Sequence, residues 1–365
     1  MSATTATRPA LAARPRLPRW ATLFVLLVAV AVAVLLKLLL GWNWALAAIL
    51  AGVIFNVALP TWSALLEGRR AATDRLATVL IWTAFAIVCV PLVWILEVVI
   101  RKGLPHLTWT FLTTTMRNHV PGPTGGIGHA LVGTLIITLF ASLIAVPVGL
   151  MCAIYLVEYG RGSRLARAVT FFVDVMTGIP SIVAGLFALA LFVLIFGPAV
   201  HMAFIGSVAL ALLMIPTVVR STEEMLRLVP SDLREAAYAL GVPKWRTILK
   251  VVVPTSIGGI VTGVTLAIAR VIGETAPLLV AVGFLTGMNA NPFRTDQGMA
   301  TLPTFIFDQY AHPDIVSCPL GSATCPPSPS EPRYWAAALV LIIIVMVLNV
   351  IARTIGKIFA PKTGR

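Results

Sequence analysis

Residues 231–254, SDLREAAYALGVPKWRTILKVVVP, decide how this chain is organised. Pro230 and Ser231 suit a helix start, Asp232 and Glu235 place acid in the first turns, and Gly241 followed by Pro243 stops it, which predicts a helix of about nine residues. Leu233, Ala236, Ala237 and Leu240 recur at helical spacing on one face, and the two alanines let another backbone come close. Two readings fit this pattern: a peg that docks into a partner protein, or an amphipathic connector lying on a membrane surface. On either side lie apolar runs, near 203–219 and 254–283.

Further apolar runs fall near 20–40, 44–66, 76–100, 130–157, 169–196 and 335–352. Most approach or exceed the 20 or so residues that cross a hydrocarbon core of roughly 30 Å. The chain of 365 residues is 59% hydrophobic and 11% charged, with a mean hydropathy of +0.96, which argues against a water-soluble fold. The expected class is all-α: a polytopic membrane protein with about eight transmembrane helices. The second run is interrupted by Asn56, Pro60, Thr61 and Ser63, and only Gly41-Trp42-Asn43 separates it from the first. A cleaved signal peptide competes for the first run, but that run exceeds the usual apolar length and lacks a clear small-residue cleavage site, so a retained helix is preferred.

An even number of spans puts both ends on one side. Twenty Lys and Arg residues fall on the side of the termini and of the 231–254 loop, and five on the other, with Lys37 and Arg270 inside apolar segments. Both termini are therefore expected in the cytoplasm of a cell-membrane protein. The +13 net charge is then a topology signal and not a nucleic-acid footprint. Lys37 is expected to snorkel. Cys89 and Cys152 lie in spans as small hydrophobes, whereas Cys318 and Cys325 sit in a Pro-rich outer loop where either a disulfide or two free thiols fits. His106, His119 and His129 show no metal-ligand spacing and are expected on the surface. No GxxxxGK[ST], HExxH or GxSxG pattern is present, so any ATP-driven work would need another subunit.

The spacing Glu235-Ala236-Ala237, three residues, Gly241, nine residues, then Val251, Val253 and Pro254 resembles the EAA motif of ABC importer permeases, with valines where that family more often has Ile and Leu. The runs GTLIITLFASLIAVPVGLMCAIYLVEY from Gly133, GIPSIVAGLF from Gly178, RSTEEMLRLVPSDLREAA from Arg220 and ARVIGETAPLL from Ala269 resemble the phosphate-specific members, the last being closest to the A-type subunit. The matches cover most of 130–355. The resemblance implies a type I importer permease domain over 76–365, with a coupling loop at 220–254 and an outer loop at 284–334, and says nothing of the two extra helices within 1–75. It implies a C-type phosphate permease as heterodimer partner, two copies of a cytoplasmic ATPase that use ATP and Mg, and an outer phosphate-binding protein. No catalytic site and no cofactor are implied in this chain, and membrane lipid surrounds it. Glu235, Ala236, Ala237 and Gly241 would make or shape the ATPase contact.

In the seventh run, Arg270 and Glu274 stand one helical turn apart, and each ionised group costs about 2.5–3.5 kcal/mol at a bilayer centre, so they are expected to face protein or water. Gly259, Gly263, Ala267, Arg270 and Glu274 share an arc of about 80° at 100° per residue. A small-residue packing seam accounts for the glycines and less well for the charges. Arg270 is the candidate cation for an anion crossing an apolar region, and Glu274 the group that neutralises it between transport events. Gly273 and Pro277 predict a helix break there, and Gly178 and Pro180 a second one before Ser181. Ser181 is a weaker path candidate that ordinary packing fits better; Thr134, Thr138 and Ser142 fit bonding back to their own helix. Arg220 suits either guiding an anion or binding lipid head groups. A permease for another oxyanion such as phosphonate, the C-type role, and a passive channel or carrier remain open alternatives.

Overall fold

The structure is a computed structural model that describes residues 17–18, 20–117, 125–160, 162–198, 200–314 and 328–359. Cys318, Cys325 and His119 lie outside the described residues. The chain divides into two units, with the boundary between Glu97 and Val98.

The first unit holds α1 (Ala21–Leu40), α2 (Trp44–Leu66) and most of α3 (Arg69–Gly103). Gly41, at φ 67°, ends α1 and donates its N–H to the Lys37 carbonyl; the Lys37 ammonium lies 3.0 Å from the Trp44 ring centroid, a cation–π contact. The side-chain donors of Asn56, Thr61 and Ser63, which interrupt the second apolar run, find acceptors, while the Asn56 Oδ1 is buried without a donor. Asn56 donates to Thr83 Oγ1 at 3.0 Å, Thr61 to the Val57 carbonyl, and Ser63 to Glu67 Oε2 at 2.7 Å. Glu67 also accepts from the Leu17 N–H at 2.6 Å and from the Arg75 fork at 2.8 and 3.0 Å.

The second unit is built around α8 (Ala203–Arg227), the most buried span, whose Ile205, Ala209, Met214, Val218 and Val219 are closed off completely. Against it lie α5 (Gly128–Ile154), α6 (Arg164–Thr177), α7 (Ser181–Phe196), α11 (Val253–Ile272) and α12 (Ala276–Ala281); α14 (Ser330–Phe359) packs on α11 and on α13 (Leu302–Ala311). Between α8 and α11 come α9 (Ser231–Ala239) and α10 (Lys244–Thr247), and α4 (Trp109–Thr113) precedes α5. Two helix ends widen into π-helical turns, Tyr155–Tyr159 after α5 and Ile248–Val252 before α11. Among the described residues the fold is all-α apart from an isolated bridge, His201 to Asp296.

Among the described residues seven helices are long and apolar enough to cross a bilayer, and α6 with α7, taken as one broken span, makes eight. The run expected at 169–196 is two helices bent by 110° at the Gly178–Pro180 break. The run expected at 254–283 begins earlier, at Lys244, and its long helix stops at Ile272, where Gly273 caps it; α12 restarts with Pro277 in its first turn, a position that needs no N–H donor. His129 departs from the expected surface position: its ring is 2% exposed and meets Phe305 edge to face at 5.6 Å. Thr134 and Ser142 bond back to their own helix, as their spacing suggested. Thr134 Oγ1 donates to Ala130 and accepts the Leu302 N–H at 2.8 Å, and Ser142 donates to the Thr138 carbonyl.

Candidate substrate path and coupling surface

α11 carries the arginine. Its small residues serve packing: a Cβ on Gly259 would collide with Met225 and one on Gly263 would stand 2.6 Å from Ser221, both residues of α8, and Ala267 is buried. Arg270 follows within one turn of Ala267 and is exposed. No side chain among the described residues pairs with it. Position at the C-terminal end of α11 favours a cation, because the last carbonyls carry partial negative charge.

Glu274 lies beyond the Gly273 cap and is half-buried. The one-turn spacing brings two side chains together only if the helix continues through both; here it stops between them, and the two groups do not form an ion pair. The break instead joins Glu274's segment to that of Ser181. A Cβ on Gly185, one turn after Ser181, would stand 2.7 Å from the Pro277 backbone, so the two short helices that follow the two breaks pack directly on each other. Ser181 is half-buried at the start of α7.

Arg220 sits elsewhere, near the α9 end of α8. Its guanidinium holds Asp174 of α6 and, at 2.8 Å, Glu223 one turn on; Glu223 also accepts from Arg227 at 2.6 Å. Two carboxylates on one arginine leave it with little free charge for an anion.

The 231–254 loop folds as the spacing predicts. α9 runs over the nine residues Ser231–Ala239, and Gly241 adopts φ 75°. The Gly241 N–H bonds the Tyr238 carbonyl at 2.9 Å and the Val242 N–H the Ala237 carbonyl at 3.1 Å, the paired arrangement of a Schellman cap. The expected apolar face is divided. Leu233, Ala236 and Leu240 are exposed, Leu240 at 84%, as is Glu235, whereas Ala237 is buried.

Beside Ala237 the inward face carries Arg234, which sequence reading assigned only to the topology count. It donates from Nε and Nη2 to Glu158 Oε1 at 3.0 and 2.8 Å, from Nη1 to the Val229 carbonyl at 2.6 Å and from Nη2 to the Leu226 carbonyl at 2.9 Å. Both members are buried, Arg234 at 8% and Glu158 at 6% exposure. Glu158 ends the longest apolar run of the second unit, and a lone carboxylate in that setting is a signal that a cation must come to it.

The second unit thus joins a broken apolar helix that ends on an exposed arginine to a short helix, exposed on one side, that connects two of its apolar helices. Residues 145–365 match the family of binding-protein-dependent transport system inner membrane components. The chain is 46% identical over 289 residues, 79% of its length and 90% of the relative's, to phosphate transport system permease protein PstA 1 of Mycobacterium tuberculosis (strain CDC 1551 / Oshkosh). It is 38% identical over 299 residues, 80% of its length and 92% of the relative's, to PstA of Yersinia pestis. In fold it resembles a chain of the bacterial alginate ABC transporter solved with its alginate pentasaccharide-bound periplasmic protein, at TM-score 0.52 and 13% identity over 78% of this chain and 96% of that one. The chain therefore belongs to the binding-protein-dependent inner-membrane permeases and, among them, to the PstA phosphate transport permeases.

Proposed function

We propose that this chain is the A-type permease of an ATP-driven importer that moves inorganic phosphate into the cytoplasm by alternating access. Arg270 carries the reading: an exposed guanidinium in an apolar helix, with no carboxylate of the described chain on it. A phosphate ion must exchange its water for donors to cross an apolar region, and the arginine fork offers two in fixed geometry. Relatives named as phosphate transport permeases make phosphate the anion of choice. Glu274 and Ser181 lie on the segments after the two breaks and line the same route; Arg220, tied to Asp174 and Glu223, acts as a latch at the cytoplasmic mouth.

The complex comprises a C-type phosphate permease as heterodimer partner, two cytoplasmic ATPase subunits that use ATP and Mg, and an outer phosphate-binding protein. Both termini are cytoplasmic. α9 presents Glu235, Ala236 and Leu240 to the ATPase, with Ala237 and Gly241 shaping the helix from behind. ATP-driven closure of the ATPase pair moves α9, the permease pair opens outward, and phosphate passes Arg270. The test is uptake of labelled phosphate into proteoliposomes holding ATP, with complexes that contain or lack this chain. Uptake requiring ATP and this chain is expected; uptake without either would overturn the proposal.

A further inference from the structure

Arg234 does more than stabilise. Its guanidinium gathers three elements: α9 itself, the end of α8 and the residues just after it through the Leu226 and Val229 carbonyls, and the π-helical end of α5 through Glu158. The donors of one planar group fix three directions at once, so α9 has little freedom to rotate about its axis or slide along it while the contacts persist. That constraint is needed, because nine residues make a helix only marginally stable by itself, and its outward side chains must keep one orientation for a partner to push on. The next residue, Glu235, points outward and the one before it, Leu233, is exposed as well, so the buried arginine sits directly behind the exposed face.

We infer that the Arg234–Glu158 pair is the positioning device that converts movement of α9 into movement of α5, the helix packed most extensively on the central α8. The inference rests on the transport function proposed above and assigns to it two residues that neither touch substrate nor face the ATPase. The other flank of α9 meets the second π-helical turn, Ile248–Val252, which leads into the arginine-bearing α11. Movement of one short helix thus reaches both α5 and α11, the first through an ion pair of fixed direction and the second through packing. Packing alone transmits a push; the ion pair with its carbonyl bonds also transmits a pull, which the return stroke of alternating access requires.

The experiment measures ATP hydrolysis and phosphate uptake on the same reconstituted complexes and reads their ratio. Glu158→Gln keeps the shape and removes the charge; Arg234→Lys keeps the charge and removes the fork. Because a half-broken buried pair often prevents folding, a double variant, Glu158→Leu with Arg234→Met, removes both charges and keeps the volume. In all variants that assemble, phosphate moved per ATP is expected to fall by about tenfold or more while ATP turnover stays within about twofold of wild type. A purely structural role would lower hydrolysis and uptake together through loss of assembled complex. An unchanged ratio in the double variant overturns the inference. A wild-type complex that hydrolyses ATP yet moves no phosphate overturns the proposed function, and this inference with it.

Discussion

Gly185 of α7 and Pro277 of α12 touch backbone to backbone: a Cβ on residue 185 would stand 2.7 Å from both the Cα and the carbonyl oxygen of Pro277. Backbone atoms cannot swing aside as the end of a side chain can. Gly185→Ala is therefore expected to cost about 1–3 kcal/mol, the usual range for overpacking, and to lower both the thermal midpoint in detergent and phosphate uptake. Gly52, in α2, has open space around its missing Cβ, and Gly52→Ala is expected to leave both unchanged or slightly raise stability. Equal behaviour of the two variants would show that the α7–α12 contact is not tight in the working protein.

Gly241 tests the coupling surface through the backbone alone. It has φ 75° and nothing within 4 Å of a Cβ, so a substitution there meets strain and no clash. Gly241→Ala is expected to cost about 1 kcal/mol and to fray the end of α9, while Gly241→Asn, which tolerates the left-handed region, costs less. ATP-driven uptake should fall in the order wild type, Asn, Ala. The reverse order would mean that the cap does not matter to coupling.

Much of this architecture was legible in the sequence, and the reasons are specific. The length of α9 followed from Pro230-Ser231 at one end and Gly241 at the other, because caps are local chemistry. The breaks at Gly178–Pro180 and Gly273 fall where sequence places a proline, which stops a helix, or a glycine shortly before one, which weakens it. What the sequence could not supply was pairing at long range. Arg234 and Glu158 are 76 positions apart and Arg220 and Asp174 are 46 apart, and nothing in the periodicity of one helix names its partner on another. The facing of Ala237 was missed for the same reason: α9 has apolar residues around much of its circumference, and only the position of the bundle decides which of them is inside. The Arg270–Glu274 pair was expected from spacing that assumes an unbroken helix, and the break predicted in the same segment removes that assumption.

Glu67 gives the first unit a pH dependence. Hydrogen bonds from Arg75, then Ser63 and the Leu17 N–H, hold its carboxyl at about 2, below the ordinary 4.5. A depressed carboxylate pKa stabilises the fold above the unfolded value and loses that effect as pH falls through the folded one. The contribution is therefore complete above roughly pH 4.5 and fades between there and pH 2. Glu67→Gln should lower the thermal midpoint at pH 7, and the gap from wild type should narrow as the pH is brought toward 3 or below. A gap that stays constant with pH would assign the effect to shape and not to charge.

Arg270 and Arg220 make opposite predictions for the same substitution, because one guanidinium is open and the other is already shared between Asp174 and Glu223. Lysine keeps the charge and loses the fork. For Arg270→Lys, an anion in transit loses at least one charge-assisted hydrogen bond of about 1.5–3 kcal/mol, which corresponds to a fall in phosphate uptake of about 10- to 100-fold, with ATP hydrolysis retained. For Arg220→Lys, an ammonium still reaches one of the two carboxylates and the change is expected within about threefold, the scale of an exposed ion pair. Uptake assays in a strain that depends on this importer, with each chain's membrane level measured alongside, separate the two. Wild-type uptake by Arg270→Lys would remove Arg270 from the phosphate path, since a group whose fork is dispensable is not replacing the water around a dianion.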